Sequence, residues 1–311
     1  MSGGPKDFLS LADWPADALR SILARAHALK KAYHAGDSPQ TLSGRTLAMY
    51  FEKQTLRTHV TFEAGISQLG GHAVFLSPEQ VGVGTRESPR DVAQNLSRWV
   101  DAIVARTASH GLVEELARSA TIPVINGLTD LAHPCQAMAD FLTVMERMPL
   151  SRAVVAYVGD GNNVANSLLG AAAALGVTLR IATPETHRPA LRVRQAAERL
   201  AERTGAKLSW SPDPSEAVRG ADFVYTDVWT SMGQEKESAV RRALFEAYQL
   251  NERLLRHAPE AYVLHCLPAH RGEEITDDVL DGPRSLVLDQ AENRLHAQKA
   301  ILERLILAPG R

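Results

Sequence analysis

The sequence predicts an α/β protein of two doubly wound, parallel-sheet domains. Short apolar runs alternate with amphipathic stretches of helical spacing along most of the 311 residues. Strands separated by helices form crossover units, and such units build parallel sheets. The alternation pauses at 148–151 and then restarts, so we expect one domain on each side, with the active site in the cleft between them.

Four strands are expected in the first half of the chain. A helix with Pro15 in its first turn precedes them, and its apolar residues follow helical spacing. Each strand is a short apolar run with a helix after it. The predicted strands are 47–51, 73–76, 102–105 and 123–125, and the predicted helices after them end at 69, 99, 118 and 145.

In the second half the same alternation predicts five strands. The first is continuously apolar, as expected for a strand that is covered on both faces. The predicted strands are 153–158, 178–182, 223–225, 262–265 and 286–288, with helices at 164–175, 189–203, up to about 257, and 292–307.

Composition argues against several classes of function. Lys and Arg total 34 against 36 Asp and Glu, which gives a net charge of −2, so no nucleic-acid or anionic-membrane partner is indicated. The N-terminal stretch lacks an apolar core of signal-peptide length, and no segment approaches a membrane span. Two distant cysteines, Cys135 and Cys266, predict a reducing compartment, and we expect the cytoplasm.

A possible phosphate loop lies at 51–71. Thr55-Leu56-Arg57-Thr58 stands where a strand hands over to a helix, so hydroxyls and an arginine meet backbone N–H groups that lack intrahelical partners. The helix dipole adds positive potential there, which suits a phosphate. Local spacing alone is equally compatible with an ordinary N-cap at Thr55 or Thr58.

Polar side chains recur at the carboxyl ends of the predicted strands, where doubly wound sheets bind ligands. Singly, each has an ordinary explanation as a surface cation, a core histidine or a small apolar cysteine. Together they fit an anionic, carbonyl-bearing donor in the first half and a zwitterionic acceptor in the second, because paired arginines hold phosphate dianions and a carboxylate holds an ammonium group. The residues are Arg57, Arg106 and His133, then Asn163, Asp227 and Cys266.

Two other types of site are disfavoured. Gly159-Asp160-Gly161 begins like a dinucleotide fingerprint, but Val164 occupies the third glycine position and no acidic residue clearly ends the next strand. We therefore expect no NAD and no other cofactor. The pairs His133/Cys135 and His265/Cys266 lack zinc-finger spacing, so no metal is expected either.

A set of motifs in this order and spacing resembles the aspartate/ornithine carbamoyltransferase family, and within it the enzymes that act on ornithine. They span nearly the whole chain. The motifs are FEK at 51–53 with TLRT at 55–58, DAIVART at 101–107, NGLTD at 126–130 before HPCQ at 133–136, GDGNN at 159–163, DVW at 227–229 with SMG at 231–233, HCLPA at 265–269 and AENR at 291–294.

The resemblance implies carbamoyl transfer from carbamoyl phosphate to the δ-amine of L-ornithine, giving L-citrulline and phosphate without a covalent enzyme intermediate. It implies a carbamoyl phosphate-binding domain at 1–147, joined by the C-terminal helix 290–311, and an ornithine-binding domain at 148–289. Arg57, Arg106, His133 and Cys266 would be catalytic. The implied donor-binding residues are Thr55, Leu56, Arg57, Thr58, Gln80, Arg106, His133, Gln136, Cys266, Leu267 and Arg294, and the implied ornithine-binding residues are Asn163, Asp227, Ser231 and Met232.

Further implications concern assembly and specificity. Gln80 would reach the site of an adjacent subunit, so a homotrimer or a multiple of trimers is expected. Asp227 would pair with a free α-amino group, which argues against N-acylornithine and putrescine as acceptors. The aspartate enzymes lack the motifs at 227–233 and 265–268, and a binding protein without catalysis is disfavoured by the intact polar set. Thr55, Leu56 and His59 depart from the residues that are commoner in the family.

Overall fold

A computed structural model describes residues 4–230 and 238–308. Packing divides the chain into two compact units. The first unit comprises the chain up to Ala139 and again from Glu292 onward. The second comprises Asp140–Ala291. Both boundaries fall inside helices rather than in loops. Among the described residues, no helix combines the length and the apolar character needed to cross a bilayer.

The first unit is built on a four-stranded parallel sheet. Its strands are β1 (Thr46–Phe51), β2 (His72–Leu76), β3 (Ala102–Arg106) and β4 (Val124–Leu128), in the order β2-β1-β3-β4. The helices that begin in this unit are α1 (Ala16–His34), α2 (Leu56–Gln68), α3 (Pro78–Val81), α4 (Pro89–Trp99), α5 (His110–Ser119) and α6 (Pro134–Arg147). β2 lies on one side of β1, and β3 followed by β4 lies on the other.

The second unit has a five-stranded parallel sheet. Its strands are β5 (Val154–Val158), β6 (Thr178–Ala182), β7 (Leu208–Ser211), β8 (Phe223–Thr226) and β9 (Tyr262–His265), in the order β7-β6-β5-β8-β9. Its helices are α7 (Asn163–Leu175), α8 (Leu191–Thr204), α9 (Pro214–Val218), α10 (Ser238–Phe245), α11 (Glu252–Leu255) and α12 (Asp277–Leu280), and α13 (Val287–Ile306) begins in it. The prediction of two α/β units with parallel sheets is confirmed.

Each sheet is covered by apolar side chains from its own unit. In the first unit, Ala48, Ile103 and Ala105 of the sheet pack with Leu96 of α4 and Val113 of α5. In the second, residues of β5, β8 and β9 pack with the aromatic rings of Trp229 and Phe245. Burial on both faces explains why the central strands are continuous apolar runs.

One predicted strand is wrong. Ser285 forms a single bridge with Val263, Leu286 donates its backbone N–H to the Val263 carbonyl, and α13 begins at Val287. Gln290 then donates its backbone N–H to the carbonyl of Leu286, which opens the helix. Three apolar residues in a row do not distinguish a strand from a buried helix turn.

The fifth strand is instead β7, which the sequence analysis missed. It is an edge strand of the sequence LSWS, and only its last residue is fully buried. An edge strand with alternating serines carries no continuous apolar run, so the pattern was too weak to find.

Candidate functional site

The first cluster of polar residues lies where the first sheet changes direction. In doubly wound sheets, ligands bind at this switch point, beyond the carboxyl ends of the two central strands. Phe51 at the end of β1 is in register with Arg106 at the end of β3. The register brings the β1–α2 connection, 52–55, beside Arg106, and Glu52 donates its backbone N–H to the Arg106 carbonyl at 2.9 Å.

Thr58 is the centre of this cluster. Its hydroxyl oxygen accepts hydrogen bonds from Nη1 of Arg106 at 3.1 Å and from Nη2 of Arg294 at 3.2 Å. Arg294 also donates through Nη1 to Oε1 of Gln136 at 2.5 Å. Arg106, Thr58, Gln136 and Arg294 are all buried. Two guanidinium groups that converge on one hydroxyl form a site of concentrated positive charge, suited to a dianion.

His133 belongs to the same cluster, immediately before α6. Burial lowers the pKa of its imidazole well below the usual value, and the charges of Arg294, Arg106 and Arg57 lower it further. The ring is therefore neutral at neutral pH. A neutral imidazole carries one N–H, so it can donate one hydrogen bond to a carbonyl oxygen without adding charge.

Other donor residues named from the sequence lie in different surroundings. Thr55 is the N-cap residue of α2, but its side chain makes no capping hydrogen bond. Leu56 is 74% exposed. The side-chain oxygen of Gln80 accepts from the backbone N–H of Ser77 at 3.0 Å in the capping box of exposed α3. Thr55 is thus the N-cap residue by position only, and Thr58 lies within α2, where its hydroxyl oxygen accepts from the two arginines.

His59 lies next to this loop. Its ring stacks on Phe75 with 4.5 Å between centroids, and its Nε2 is 3.2 Å from Oε2 of Glu63. It thus packs between α2 and β2, where part of the ring is covered.

The second cluster lies at the switch point of the second sheet, between β5 and β8. The register pairs Val158 with Thr226 and Thr226 with His265. The residues that follow these strands therefore come together. Asp227 is hydrogen-bonded to two of these residues. Its Oδ2 accepts from Nδ2 of Asn162 at 2.7 Å, and its Oδ1 accepts from the thiol of Cys266 at 3.0 Å.

The environment of Cys266 favours the protonated thiol. Burial raises its pKa well above the ordinary value near 9, and the charge and hydrogen bond of Asp227 raise it further. In this arrangement Cys266 is a hydrogen-bond donor, and the carboxylate of Asp227 is the acceptor. The thiolate form would be opposed by the neighbouring negative charge.

The turn after Cys266 is held by His265. Its Nδ1 accepts from the backbone N–H of Leu267 at 2.8 Å, and its Nε2 lies 3.0 Å from Oε1 of Glu274. Because Nδ1 is an acceptor, the proton resides on Nε2 and is donated to the carboxylate. Leu267 has a φ of 57°, a left-handed conformation that costs free energy in a residue with a side chain. The buried pair His265/Glu274 therefore supports a strained turn at the predicted site.

Asn163 begins α7 at the same sheet edge and is half-buried. Ser231 and Met232, named from the sequence for ornithine, lie outside the described residues. The roles of all these site residues stay predictions.

The glycine pair at 159 and 161 is explained by backbone geometry. Gly159 has a φ of 142°, and a Cβ on Gly161 would lie 2.3 Å from the carbonyl oxygen of His187. The first backbone N–H groups of α7, from Val164 and Ala165, are taken by Oδ1 of Asn162 at 2.9 and 3.1 Å. A pyrophosphate would need those groups, which argues against dinucleotide binding.

Sequence reasoning missed several members of the second cluster. Asn162 both caps α7 and orients Asp227. Asp160, with a pKa that burial raises to about 6, is held in a buried ion pair by Arg241, which also donates through Nε to the carbonyl of Trp229 at 2.6 Å. Glu274 could not be identified from the sequence, because no local pattern shows that its partner is His265 at the end of β9.

Comparison with protein families matches both units. Residues 6–146 match the carbamoyl-P binding domain of aspartate/ornithine carbamoyltransferase, and residues 152–305 match the Asp/Orn binding domain of the same family. The chain belongs to the aspartate/ornithine carbamoyltransferase family. The family resemblance found in the motifs is thereby confirmed.

Similar members of the carbamoyltransferase family include proteins named for ornithine. An ornithine carbamoyltransferase of Methanoculleus marisnigri is 50% identical over 303 residues, 97% of each chain. The solved structure of ornithine carbamoyltransferase from Pyrococcus furiosus has a TM-score of 0.95 at 48% identity and covers 98% of both chains. That from Gloeobacter violaceus has a TM-score of 0.87 at 46% identity, covering 98% of this chain and 100% of the other.

Proposed function

We propose that this chain transfers the carbamoyl group of carbamoyl phosphate to the δ-amine of L-ornithine, giving L-citrulline and phosphate. The observation that carries the proposal is the convergence of Arg106 and Arg294 on Thr58 at the first switch point. The ornithine carbamoyltransferases to which the chain is similar over its full length support the acceptor.

In the proposed donor site, the phosphate lies at the start of α2. Arg57 and Arg106 neutralise it, and the backbone N–H groups and hydroxyls of Thr55–Thr58 donate to its oxygens. Thr58, Arg106 and neutral His133 polarise the carbamoyl carbonyl and stabilise the oxyanion as the tetrahedral centre forms. Gln136 and the carbonyls of Cys266 and Leu267 are proposed for the carbamoyl NH₂ group.

In the proposed acceptor site, the carboxylate of Asp227 pairs with the α-ammonium group of ornithine. Asn163, Ser231 and Met232 are proposed to complete the recognition of its α-amino and α-carboxylate groups. Asp227 suits this role because its position is set by Asn162 and Cys266, and because it carries the charge that an ammonium group requires.

The chemical step is nucleophilic addition followed by loss of phosphate. The neutral δ-amine forms the C–N bond with the carbamoyl carbon, the C–O bond to phosphate breaks, and the nitrogen loses its proton to the departing phosphate. An alkylammonium of pKa about 10.4 must first be deprotonated, which costs about 4–5 kcal/mol at pH 7. A site that selects the neutral amine recovers part of this free energy.

The role of Cys266 beside the reacting amine is tested by substitution. We expect Cys266→Ala to lower kcat by about 100-fold and to shift the pH–rate profile, while carbamoyl phosphate still binds, because Asp227 loses its donor beside the reacting amine. The measurement is kcat against pH, with donor affinity from calorimetry.

Cys266→Ser is the matched comparison. Serine keeps a donor to Asp227 but removes the sulfur, so a recovery of activity in this variant assigns the role to the hydrogen bond. Unchanged turnover and an unchanged profile in Cys266→Ala would show that Cys266 takes no part in the reaction.

The test of the proposed function is a comparison of acceptors. Purified protein is incubated with carbamoyl phosphate and, separately, ornithine, N-acetylornithine, putrescine or aspartate, and the carbamoylated product is quantified. We expect citrulline to form with a kcat/KM far above that of the other products. A preference for another amine would show that this amine is the acceptor. If no product formed with any of the four, the protein would be a binding protein without catalysis.

We further propose a homotrimer or a multiple of trimers. Among the apolar side chains exposed in the first unit are four on α2 and β2, here called the apolar patch: Leu56, Val60, Val74 and Phe75. Leu56 and Val60 are one helical turn apart on α2, and β2 is an edge strand. Exposed apolar surface on an edge favours contact with another copy of the chain.

Val60→Glu should therefore reduce the molar mass measured by light scattering to that of smaller species. Activity should fall with it, because Gln80 is proposed to serve the site of an adjacent subunit. Leu191→Glu, a similar change at an exposed leucine in the second unit, is the control. A wild-type mass equal to one chain would contradict the trimer.

The proposal also includes the cellular location of the protein and the direction of the reaction. Both cysteines are free thiols, which supports the proposed cytoplasmic location. A Pyrococcus furiosus relative, 49% identical over 299 residues, is named as the anabolic enzyme. We accordingly propose citrulline formation for arginine biosynthesis as the working direction, with no cofactor and no nucleic-acid or membrane partner.

A further inference from the structure

Two histidines and a glutamate meet in the first unit, at the end of α1 and along the start of its terminal helix α13. His34 is in the last turn of α1, while Glu292 and His296 are one turn apart on α13. Nε2 of His34 lies 2.7 Å from Oε1 of Glu292, and Nε2 of His296 lies 3.5 Å from the same oxygen. The three side chains each present a ligand atom within 4.8 Å of the others.

The two oxygens of Glu292 have different surroundings. Oε1 faces both imidazoles, whereas Oε2 lies 3.6 Å from Nζ of Lys30. Lys30 also donates to Oδ1 of Asn293 at 2.9 Å, so its position is set independently. Oε1 can therefore act as a single ligand atom, while Lys30 orients the carboxylate through Oε2. Outer-shell partners orient the ligands of metal sites in the same way.

His296 is the buried member of the group. It is fully buried, and neither of its ring nitrogens makes a hydrogen bond of good geometry to any residue in the described ranges. A buried ring nitrogen without a good hydrogen bond is costly, and a metal ion bound to its lone pair would remove that cost.

We propose that His34, Glu292 and His296 bind a divalent transition-metal ion such as Zn²⁺, which ties α1 to α13. Two imidazoles and one carboxylate are a common zinc ligand set, with a water in the remaining position. Metal–ligand bonds of about 2.0–2.1 Å place tetrahedral ligands roughly 3.3 Å apart. The separations of 2.7 and 3.5 Å to Oε1 lie on either side of this value.

The cationic neighbours limit the affinity. Lys30 and Lys299 both lie near the cluster, and their charges oppose a divalent cation. His34 has more than half of its side chain exposed, so the ion can enter from solvent and the ligand can swing aside. The alternative is a plain ion pair between protonated His34 and Glu292, which needs no metal and leaves His296 unused.

The experiment is a titration of the full chain with Co²⁺, followed by its visible absorption, and with Zn²⁺, followed by the melting temperature. We expect one site with the d–d bands of nitrogen and oxygen ligation and a rise in Tm with Zn²⁺. His34→Ala and Glu292→Gln should each weaken binding by about tenfold or more. His34 is at the surface, so its removal leaves the fold intact, which circular dichroism checks.

His59→Ala is the matched control. His59 and Glu63 form another His–Glu pair one helical turn apart, on α2, without a second histidine beside them. Its loss should leave the metal affinity unchanged. A sulfur-to-metal charge-transfer band would place the ion at Cys266 and overturn the proposal, as would equal affinity in His34→Ala and wild type, or no binding at all.

Discussion

Arg57→Ala is expected to weaken the binding of carbamoyl phosphate by roughly two orders of magnitude. Arg57 follows β1 at the switch point, in the first turn of α2, and its charge acts on His133 together with those of Arg106 and Arg294. A hydrogen-bonded charge pair with a dianion contributes about 3 kcal/mol, so its loss weakens binding by roughly two orders of magnitude. Isothermal titration calorimetry with carbamoyl phosphate measures this directly.

The control for Arg57 lies at the other end of the same strand. Arg45 precedes β1 and pairs with Asp101 at 2.8 Å on the surface. Arg45→Ala removes the same charge from the amino end of the sheet, where no ligand is expected, and should leave the affinity within a factor of about two. Near-normal affinity in Arg57→Ala would refute the phosphate assignment.

The placement of the first cluster at one edge of the sheet was largely predictable from the sequence, for a physical reason. Arg106 ends a strand, and Arg57, Thr58 and His133 come after strands. Parallel strands bring their carboxyl ends to one edge whatever the details of packing. What the sequence could not supply was the use of the Thr58 hydroxyl by two arginines. Those contacts distinguish Thr58 from an N-cap residue, which local spacing did not.

The second cluster depends on strand order, which local patterns do not contain. Asp227 and Cys266 are adjacent because β8 pairs with β9 in the register Thr226–His265. The same holds for Asn162, which reaches Asp227 because β5 lies on the other side of β8. Burial raises the pKa of the Cys266 thiol, and the charge of Asp227, which this pairing brings close, raises it further, so the thiol is a donor to that carboxylate.

The predicted strand at 286–288 failed for a related reason. Leu286 is buried and bonded to Val263, so its environment resembles that of a strand, but the chain turns into α13 at the next residue. Neighbouring backbone geometry, rather than side-chain hydrophobicity, decides the element there. Conversely, β7 is a strand although its side chains alternate between serine and larger residues at a sheet edge.

Asp227→Asn is expected to reduce kcat/KM for ornithine by roughly 100- to 1000-fold while the affinity for carbamoyl phosphate stays unchanged. The substitution is isosteric, but it removes the charge that would pair with the α-ammonium group, and its amide N–H₂ replaces one oxygen that accepts from Asn162 or Cys266. The loss of a charged partner in a buried site costs about 3–4 kcal/mol. Steady-state kinetics with each substrate varied in turn separates the two sites.

A second readout follows from the sign of the Cys266 shift. The charge and hydrogen bond of Asp227 raise the pKa of this thiol, so removing the charge should move the pKa down toward 9. Alkylation with iodoacetamide should then become faster at a given pH near neutrality, because more thiolate is present. Cys135 is fully buried and its pKa is raised to about 12, so it contributes little to this reaction.

Asp222→Asn separates this electrostatic effect from general loss of structure. Asp222 precedes β8, at the end of the strand opposite to Asp227, and its Oδ2 accepts from the backbone N–H of Val154 at 2.8 Å. This control should lower Tm slightly without changing KM for ornithine or the alkylation rate, because it lies away from the carboxyl edge of the sheet. If Asp227→Asn kept a normal KM for ornithine, the carboxylate would not be the partner of the α-ammonium group. An accelerated alkylation in the same variant would then still assign Asp227 to the control of the thiol.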